Sequence, residues 1–407
     1  MKLIDDATVR RLLDPAAARE AVDRALRHFA DGQAAVQARV RTVAGPVKLS
    51  TMAAVDLGGR VAGAKVYTTI AGRFRFVVLL FDAESGAPLA VLESDAMTEV
   101  RTAAVTAVAA RALARADADT LAVFGTGIQA GSHVRALAGA LPVRQVRVVS
   151  RGDARDFCRR MAEATGLPVE QAGTRAALDG AGLVVTATRS ATPLFGLDQL
   201  APGAFVAAVG STLPGHAEIG ADVIGAARVV VEWLPQAREE AGDLLLAAEA
   251  GAFSWDSAVE LGAILTGRAP GRTRPDEIFL FESVGIGLED VRAALSNANA
   301  HSPKGGIDVG DQRYQIYAND QARKAADYKP LVVAYRNGAA VRLTDVGDVI
   351  DSVENARTLG LANGKPAVVM IVYRQPGANI IKMVDLVKGL MPQLKAAWQA
   401  SRVLSFK

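Results

Sequence analysis

The 407-residue sequence predicts an α/β protein. Its centre is a doubly wound parallel sheet set within an α+β region, and a small α+β segment follows. Three observations carry this reading. Short apolar strands alternate with helical patterns from about 119 to 272, at Leu121–Phe124, Gln145–Ser150, Leu183–Thr188, Phe205–Val209 and Arg228–Glu232. The first strand runs into Gly125-Thr-Gly127 and then into a helical pattern with Val134, Leu137 and Ala138 on one face. Composition then shifts at Ser296-Asn-Ala-Asn-Ala-His-Ser-Pro-Lys-Gly-Gly306, a polar, turn-rich join.

In chain order, residues 1–35 read as helical. Asp14-Pro15 starts a second helix, Val22, Ala25, Leu26 and Phe29 share a face, and Asp31-Gly32 ends it. Strands follow at Lys48–Val55, Val61–Ile70, Phe76–Phe81 and Pro88–Leu92, the last two joined by the hairpin signal Glu84-Ser-Gly-Ala. Met97–Ala116 is an alanine-rich helix. After the alternating region, Gly271-Arg-Thr-Arg-Pro275 marks a loop and Ile278–Ser283 reads as a strand leaving the sheet. Beyond the join, Leu331–Tyr335 and Ala340–Leu343 flank Asn337-Gly338, a hairpin turn. Ala367–Tyr373 reads as a further strand, and Asn379 caps a helix with Met383, Val384, Val387, Leu390 and Leu394 on its apolar face.

Composition narrows the function. Lys and Arg total 46 against 43 Asp and Glu, a net charge of +3, and no dense basic cluster stands out, so nucleic acid is not the expected partner. The single Cys158 excludes an internal disulfide and a multi-cysteine metal site, and its helical surroundings suit a buried thiol. No HExxH motif, Asp-rich metal loop or Ser-His-Asp spacing is present, so no metal is expected. The start Met-Lys-Leu-Ile-Asp-Asp lacks the pattern of a signal peptide. No apolar run reaches the roughly 18 residues of a membrane span. A cytoplasmic protein is the expectation.

Candidate chemistry gathers at the glycine loop. Gly125 permits a tight turn, Gly127 lets the backbone approach a pyrophosphate, and Ala130 lets the helix lie close to the strand. The helix N-terminus offers N–H groups and a positive dipole end to phosphates. The second strand ends at Ser150-Arg151 without the carboxylate that would bind an adenosine ribose 2′-OH. An Arg there suits a 2′-phosphate, which favours NADP(H), with NAD(H) still possible.

Three cations stand in apolar or strand-like settings of the first region: Arg41, Lys65 and Arg101. A desolvated Lys has a lowered pKa and can give or take a proton. Two Arg residues can fork onto a substrate carboxylate. Solvated faces carry the same residue types. His133, one turn past the glycine loop, reads as a packing or capping residue. His216 follows a strand C-terminus, where ligands of open α/β sheets collect. His28 and His301 carry no signal.

Taken together, these residues resemble the ornithine cyclodeaminase/mu-crystallin family over roughly residues 1–294. The ordered motifs are Val40-Arg-Thr-Val43, Met52-Ala-Ala, Ala64-Lys65, Val78-Leu-Leu-Phe-Asp-Ala-Glu-Ser-Gly86, Arg101-Thr-Ala-Ala104 and Gly125-Thr-Gly-Ile-Gln129. Val185-Thr-Ala-Thr188, Ala208-Val-Gly-Ser-Thr212, Phe281-Glu-Ser-Val-Gly285 and Leu288-Glu-Asp290 continue the set. The resemblance implies a homodimer in which 1–118, with 273–296 returning to it, forms the substrate and dimerisation domain. It implies a Rossmann NAD(P)-binding domain at 119–272. Arg41, Lys65 and Arg101 match substrate-carboxylate positions, Lys65 doubling as proton donor. Thr102, Gly125, Gly127, Ile128, Gln129, Ser150, Arg151, Thr188, Val209 and Ser211 fall at cofactor positions.

One departure bears on the activity. Cyclodeaminases of the family carry an Asp where this chain has Thr212, and a hydroxyl without a nearby base cannot perform that carboxylate's proton transfers at neutral pH. The resemblance then implies a reductase of carboxylate-bearing cyclic imines such as pyrroline- or piperideine-2-carboxylate. Amino-acid dehydrogenase, ornithine cyclodeaminase, a non-catalytic NADPH-dependent binder and an inactive fusion are the alternatives.

The last segment resembles a different family. Gly287-Leu-Glu-Asp-Val-Arg-Ala-Ala-Leu-Ser-Asn-Ala-Asn-Ala300, Tyr314-Gln-Ile-Tyr-Ala-Asn-Asp320, Asn337-Gly-Ala-Ala-Val-Arg-Leu-Thr-Asp-Val346 and Gly377-Ala-Asn-Ile-Ile381 are similar to the periplasmic porter/docking region of RND-type multidrug efflux pumps. The likeness runs to about Ala396 and includes no membrane helix, so transport is not implied. The two resemblances overlap at Gly285–Leu295, which implies a recombination there and loss of the enzyme family's final helix. Residues 297–407 are expected to form an efflux-pump-like α+β fragment, of which Ser401–Lys407 matches neither family.

Overall fold

The computed structural model describes residues 2–211 and 213–298, with side chains as far as Leu295. Beyond them it describes the backbone of 306–309, 312–315, 332–336, 339–342, 361–362 and 365–366. The chain opens with β1 (Lys2–Ile4), α1 (Asp6–Leu12) and α2 (Pro15–Ala30). The Asp14 carboxylate accepts from the N–H groups of Ala16 and Ala17, and Pro15 fills the first helical position. Next come β2 (Ala34–Val36), β3 (Val40–Ala44), β4 (Val47–Asp56), β5 (Val61–Ile70), β6 (Arg73–Asp82), β7 (Pro88–Glu93) and α3 (Asp95–Leu113). These strands form a seven-stranded sheet in the order β1-β7-β6-β5-β4-β2, with β3 also paired to β4. The reading of residues 1–35 as helical is corrected at both ends. Lys2–Ile4 pairs with β7, and Ala34–Val36 pairs with β4. Three residues carry too little periodicity to declare a strand.

The alternating region supplies β8 (Thr120–Phe124), α4 (Ile128–Ala140), β9 (Gln145–Val149), α5 (Arg155–Thr165), β10 (Val169–Gln171), α6 (Thr174–Leu178) and β11 (Leu183–Thr186). It continues with β12 (Phe205–Ala208), α7 (Ala221–Ala226), β13 (Arg228–Val231), α8 (Leu234–Glu240), α9 (Gly242–Glu249), β14 (Val259–Glu260), α10 (Leu261–Leu265), β15 (Phe279–Glu282) and α11 (Gly287–Ala298). The second sheet runs β10-β9-β8-β11-β12-β15-β13-β14, and every pairing in it is parallel. This is the α/β, Rossmann-type architecture. Residues of β8, β11 and β12 are buried throughout, as strands covered on both faces must be. The expectation that Ile278–Ser283 leaves the sheet is overturned. Phe279–Glu282 inserts between β12 and β13 with all four residues buried. A short apolar run looks the same at a sheet's centre and outside it, because its partners are set by distant chain.

α11 then returns to the first sheet and packs on α2, α3, β4, β5 and β6. Two glycines allow the close approach. A Cβ on Gly63 would lie 2.4 Å from the Leu79 carbonyl and 2.9 Å from Val291 Cγ2, and one on Gly287 would lie 3.1 Å from the Met52 carbonyl. Whatever the join removes from the enzyme family, this returning helix is present.

Residues Lys304–Lys407 form a separate unit. Its described strands pair antiparallel in twos: β16 (Gly306–Val309) with β17 (Gln312–Gln315), β18 (Val332–Arg336) with β19 (Ala339–Arg342), and β20 (Leu361–Ala362) with β21 (Lys365–Pro366). Arg336 opposes Ala339, which closes a two-residue connection as the Asn-Gly pair predicts. The strand expected at Ala367–Tyr373 and the helix expected after Asn379 lie outside the described residues. Among the described residues, no helix is long and apolar enough to cross a membrane.

The seating of α11 is open to test. Gly63→Ala should destabilise the first unit by about 1–3 kcal/mol, because the new methyl meets backbone and helix at once. Urea unfolding measures this, and an unchanged midpoint would show that α11 does not lie so close.

Candidate active site and cofactor cleft

Alternation along β5 turns Val61, Gly63, Lys65 and Tyr67 toward the interior. Lys65 is 2% exposed. Its Nζ lies 4.5 Å from the Phe76 ring centroid and 5.9 Å from that of Tyr67, and it donates to Asp290 Oδ1 at 2.9 Å. Arg101, from α3, donates through Nε to the same oxygen at 3.1 Å and through Nη1 to Glu289 Oε2 at 2.6 Å. The guanidinium rests on Gly285, whose φ is +75° and where a Cβ would stand 2.8 Å from Nη1. Both acids come from the first turn of α11.

Electrostatics follow from this burial. Desolvation pushes Lys65 down to about 7, opposed by Asp290 and reinforced by Arg101 and Arg39. Desolvation, with Glu232 as a neighbour, pushes Glu289 up to about 8 despite Arg101. Asp290 is held below its ordinary range because Arg101 and Lys65 outweigh its burial. Buried Glu232 is raised by desolvation, and it accepts from Ser283 Oγ and the Val284 and Gly285 N–H groups.

Arg41 lies on the same sheet face, opposite Ser50, which in turn opposes Tyr67. Its ion pair is with Glu240 of α8, which also pairs with Arg39. Arg39 donates further to the Val284 carbonyl at 2.8 Å. The structure thus joins Lys65 and Arg101 on one carboxylate oxygen and brings Arg41 to a different acid. Arg39, Glu232 and Glu240 had no place among the candidates from sequence, and Glu289 and Asp290 had none beyond their shared motif. Two signals were present: Arg39 lies two residues before Arg41, which is one strand period, and Glu289-Asp290 are adjacent acids in an otherwise apolar stretch. Glu240 ends a helix and looks locally like any solvated acid.

The glycine loop sits at the C-terminal end of β8. Gly125 has φ +108°, and a Cβ there would meet the Ala187 carbonyl at 2.7 Å. A Cβ on Gly127 would meet nothing within 4 Å, and no side chain caps α4. Ile128 is 72% exposed, Ala130 is buried, and Gln129 Oε1 is buried without a partner among the described residues. Ser150 is half-buried and Arg151 exposed. Asp153 is taken by Arg155, at 2.7 Å from Nη2, and sits at about 2 as a result.

Glu218 organises the neighbouring loops. It accepts from Thr188 N at 2.7 Å and Thr188 Oγ1 at 2.5 Å, and from Thr186 Oγ1 and Gly210 N. Val209 follows β12, and Ser211 Oγ donates to the His216 carbonyl at 2.6 Å. Thr102 Oγ1 donates to the Thr98 carbonyl. Thr212 lies outside the described residues. His133 bridges Thr106 Oγ1 and the Gln129 carbonyl, and burial lowers it to about 4, which fits a neutral packing residue. His28 pairs with Asp56, and Cys158 is a buried free thiol. Among the described residues no metal-holding cluster occurs.

Comparison with known proteins agrees with this architecture. The model of the ornithine cyclodeaminase/mu-crystallin family matches residues 1–299, and that of the AcrB/AcrD/AcrF family matches residues 276–403. A probable ornithine cyclodeaminase from Bordetella pertussis Tohama I is 44% identical with a TM-score of 0.71, over 73% of this chain and 96% of that one. The iminosuccinate reductase of Paracoccus denitrificans, solved with NAD+, is 25% identical with a TM-score of 0.71, over 74% of this chain and 96% of that one. The C-terminal part is similar to multidrug resistance protein MdtC of Yersinia enterocolitica, 45% identical over 117 residues, which is 29% of this chain. The chain spans only 11% of that curated relative. By its first 299 residues the chain belongs to the ornithine cyclodeaminase/mu-crystallin family.

Proposed function

We propose that the chain is a nicotinamide-dependent reductase of carboxylate-bearing imines, with pyrroline- or piperideine-2-carboxylate as the substrate type. The observation that carries this is Lys65: a buried amine at about 7 whose Nζ shares one carboxylate oxygen with Arg101. Similarity to an imino-acid reductase solved with NAD+ supports the class of reaction.

The cleft residues fit a dinucleotide. Open space at Gly127, the uncapped start of α4 and the unpartnered Gln129 Oε1 meet the demands of phosphates and an amide. Arg151 has no ion partner among the described residues, and Asp153 is occupied by Arg155, which supports NADP(H) over NAD(H). When bound, the cofactor supplies hydride. The chain supplies the rest. Arg101, with Nη2 beyond the two bonds it makes to α11, and Arg41 hold the substrate carboxylate. Lys65 Nζ gives a proton to the imine nitrogen as that nitrogen becomes an amine. Phe76 and Tyr67 exclude water beside it. Thr212, in place of an Asp, supports reduction over cyclising deamination.

We assign the substrate site to 1–118 with 273–296 returning, and the cofactor to 119–272. The outward face of the first sheet exposes Val40, Leu49, Val55 and Phe81, an apolar surface that suits a subunit interface and so a homodimer.

The full chain should oxidise NADPH in the presence of pyrroline-2-carboxylate, with kcat falling as pH rises through about 7, where Lys65 loses its proton. No turnover by protein that binds NADPH would sink the proposal. Lys65→Ala should lower kcat about 100-fold or more while NADPH affinity holds; equal losses in both would contradict the donor role. Arg151→Ala should weaken NADPH about tenfold with NADH unaffected, as expected for one charged hydrogen bond. Equal effects on the two cofactors would remove the 2′-phosphate assignment.

A further inference from the structure

Lys65 and Arg101 reach their common contact from different elements, a strand and a helix, and the contact itself belongs to a third. Asp290 is fully buried on α11, and its Oδ1 accepts from Lys65 Nζ at 2.9 Å and from Arg101 Nε at 3.1 Å. The backbone that carries it has little freedom, since Gly63 and Gly287 let α11 lie directly on β4 and β5. A lysine stem has four rotatable bonds, so the strand alone does not fix where its ammonium sits.

We propose that Asp290 is the positioning residue of this site: it sets the distance between the proton donor Lys65 and the carboxylate clamp Arg101, and it keeps Lys65 protonated for the reaction. This rests on the reductase reading. The charges facing Lys65 are Asp290 from α11, Arg101 from α3 and Arg39 from the segment before β3, with Glu289 reached through Arg101. Burial and both guanidinium groups drive the proton off Lys65, and among these charges Asp290 alone draws it on. Removing that carboxylate would leave Lys65 mostly as the neutral amine at neutral pH, too weak an acid to protonate the imine.

α11 lies within the stretch matched by both families, so the change of family after it leaves the site's acidic anchor in place. The residues of this charge cluster all precede residue 304, where the second unit begins.

The test uses the full chain labelled with 13C-lysine, with Lys65 identified by the resonance missing in Lys65→Arg. Wild-type Lys65 should titrate near 7. In Asp290→Asn it should titrate about one unit lower or more, as loss of an adjacent opposite charge requires, and kcat should fall with NADPH affinity retained. Asp290→Glu keeps the charge but moves the oxygen, so Lys65 should titrate close to wild type while kcat still falls about tenfold or more. An unchanged Lys65 titration in Asp290→Asn, or full kcat in Asp290→Glu, would overturn the assignment. Should the Asn variant fail to fold, the Glu variant decides alone. Absence of turnover by the wild-type chain falls on the reductase reading, whereas an unmoved Lys65 titration falls on Asp290.

Discussion

A buried lysine is the constraint from which the rest of the first unit follows. Taking an ammonium out of water costs several kcal/mol even after relaxation, and that cost is offset only by well-placed opposite charge. Lys65 has Asp290 on one side and aromatic rings on the other. Arg101 leans on the same carboxylate and draws in Glu289, whose own burial raises it. Each charge is tolerable because of the next. Such a cluster is a poor way to gain stability, since apolar residues of equal volume would serve as well or better. Its presence argues for chemistry.

The fold brings these charges together from three elements. β5 places Lys65 on the inner face of one sheet, α3 carries Arg101 alongside it, and β15 runs through the second sheet before Gly285 and α11 deliver Glu289 and Asp290. The same C-terminal edge of the second sheet holds the glycine loop and the loops gathered by Glu218. The acids of the cluster follow β15 as the glycine loop follows β8, so both come from the strand-end edge where open parallel sheets gather ligands.

Local patterns revealed much of this. The glycine loop, the Asp-Pro helix start and the paired strands on either side of Asn337-Gly338 are written in a few adjacent residues, and each took the expected form. What stayed hidden depends on distance along the chain. Asp290 meets Lys65 across 225 positions, and Arg39 meets Glu240 across 201. No spacing rule links such residues. β15 was recognisable as a strand, yet its place at the centre of the sheet was not, because that is fixed by β12 and β13. Lys65 and Arg101 were found as candidates since cations in apolar settings are conspicuous. Their acids were not, since acids at helix ends are ordinary.

The most direct measurement is a structure of the full chain with NADP+ and L-proline, the product of pyrroline-2-carboxylate reduction. The proline carboxylate should lie on Arg101 or Arg41 and its nitrogen within hydrogen-bond reach of Lys65 Nζ, with Asp290 still holding that ammonium. Proline bound with its nitrogen away from Lys65, or bound outside this cluster, would contradict this arrangement.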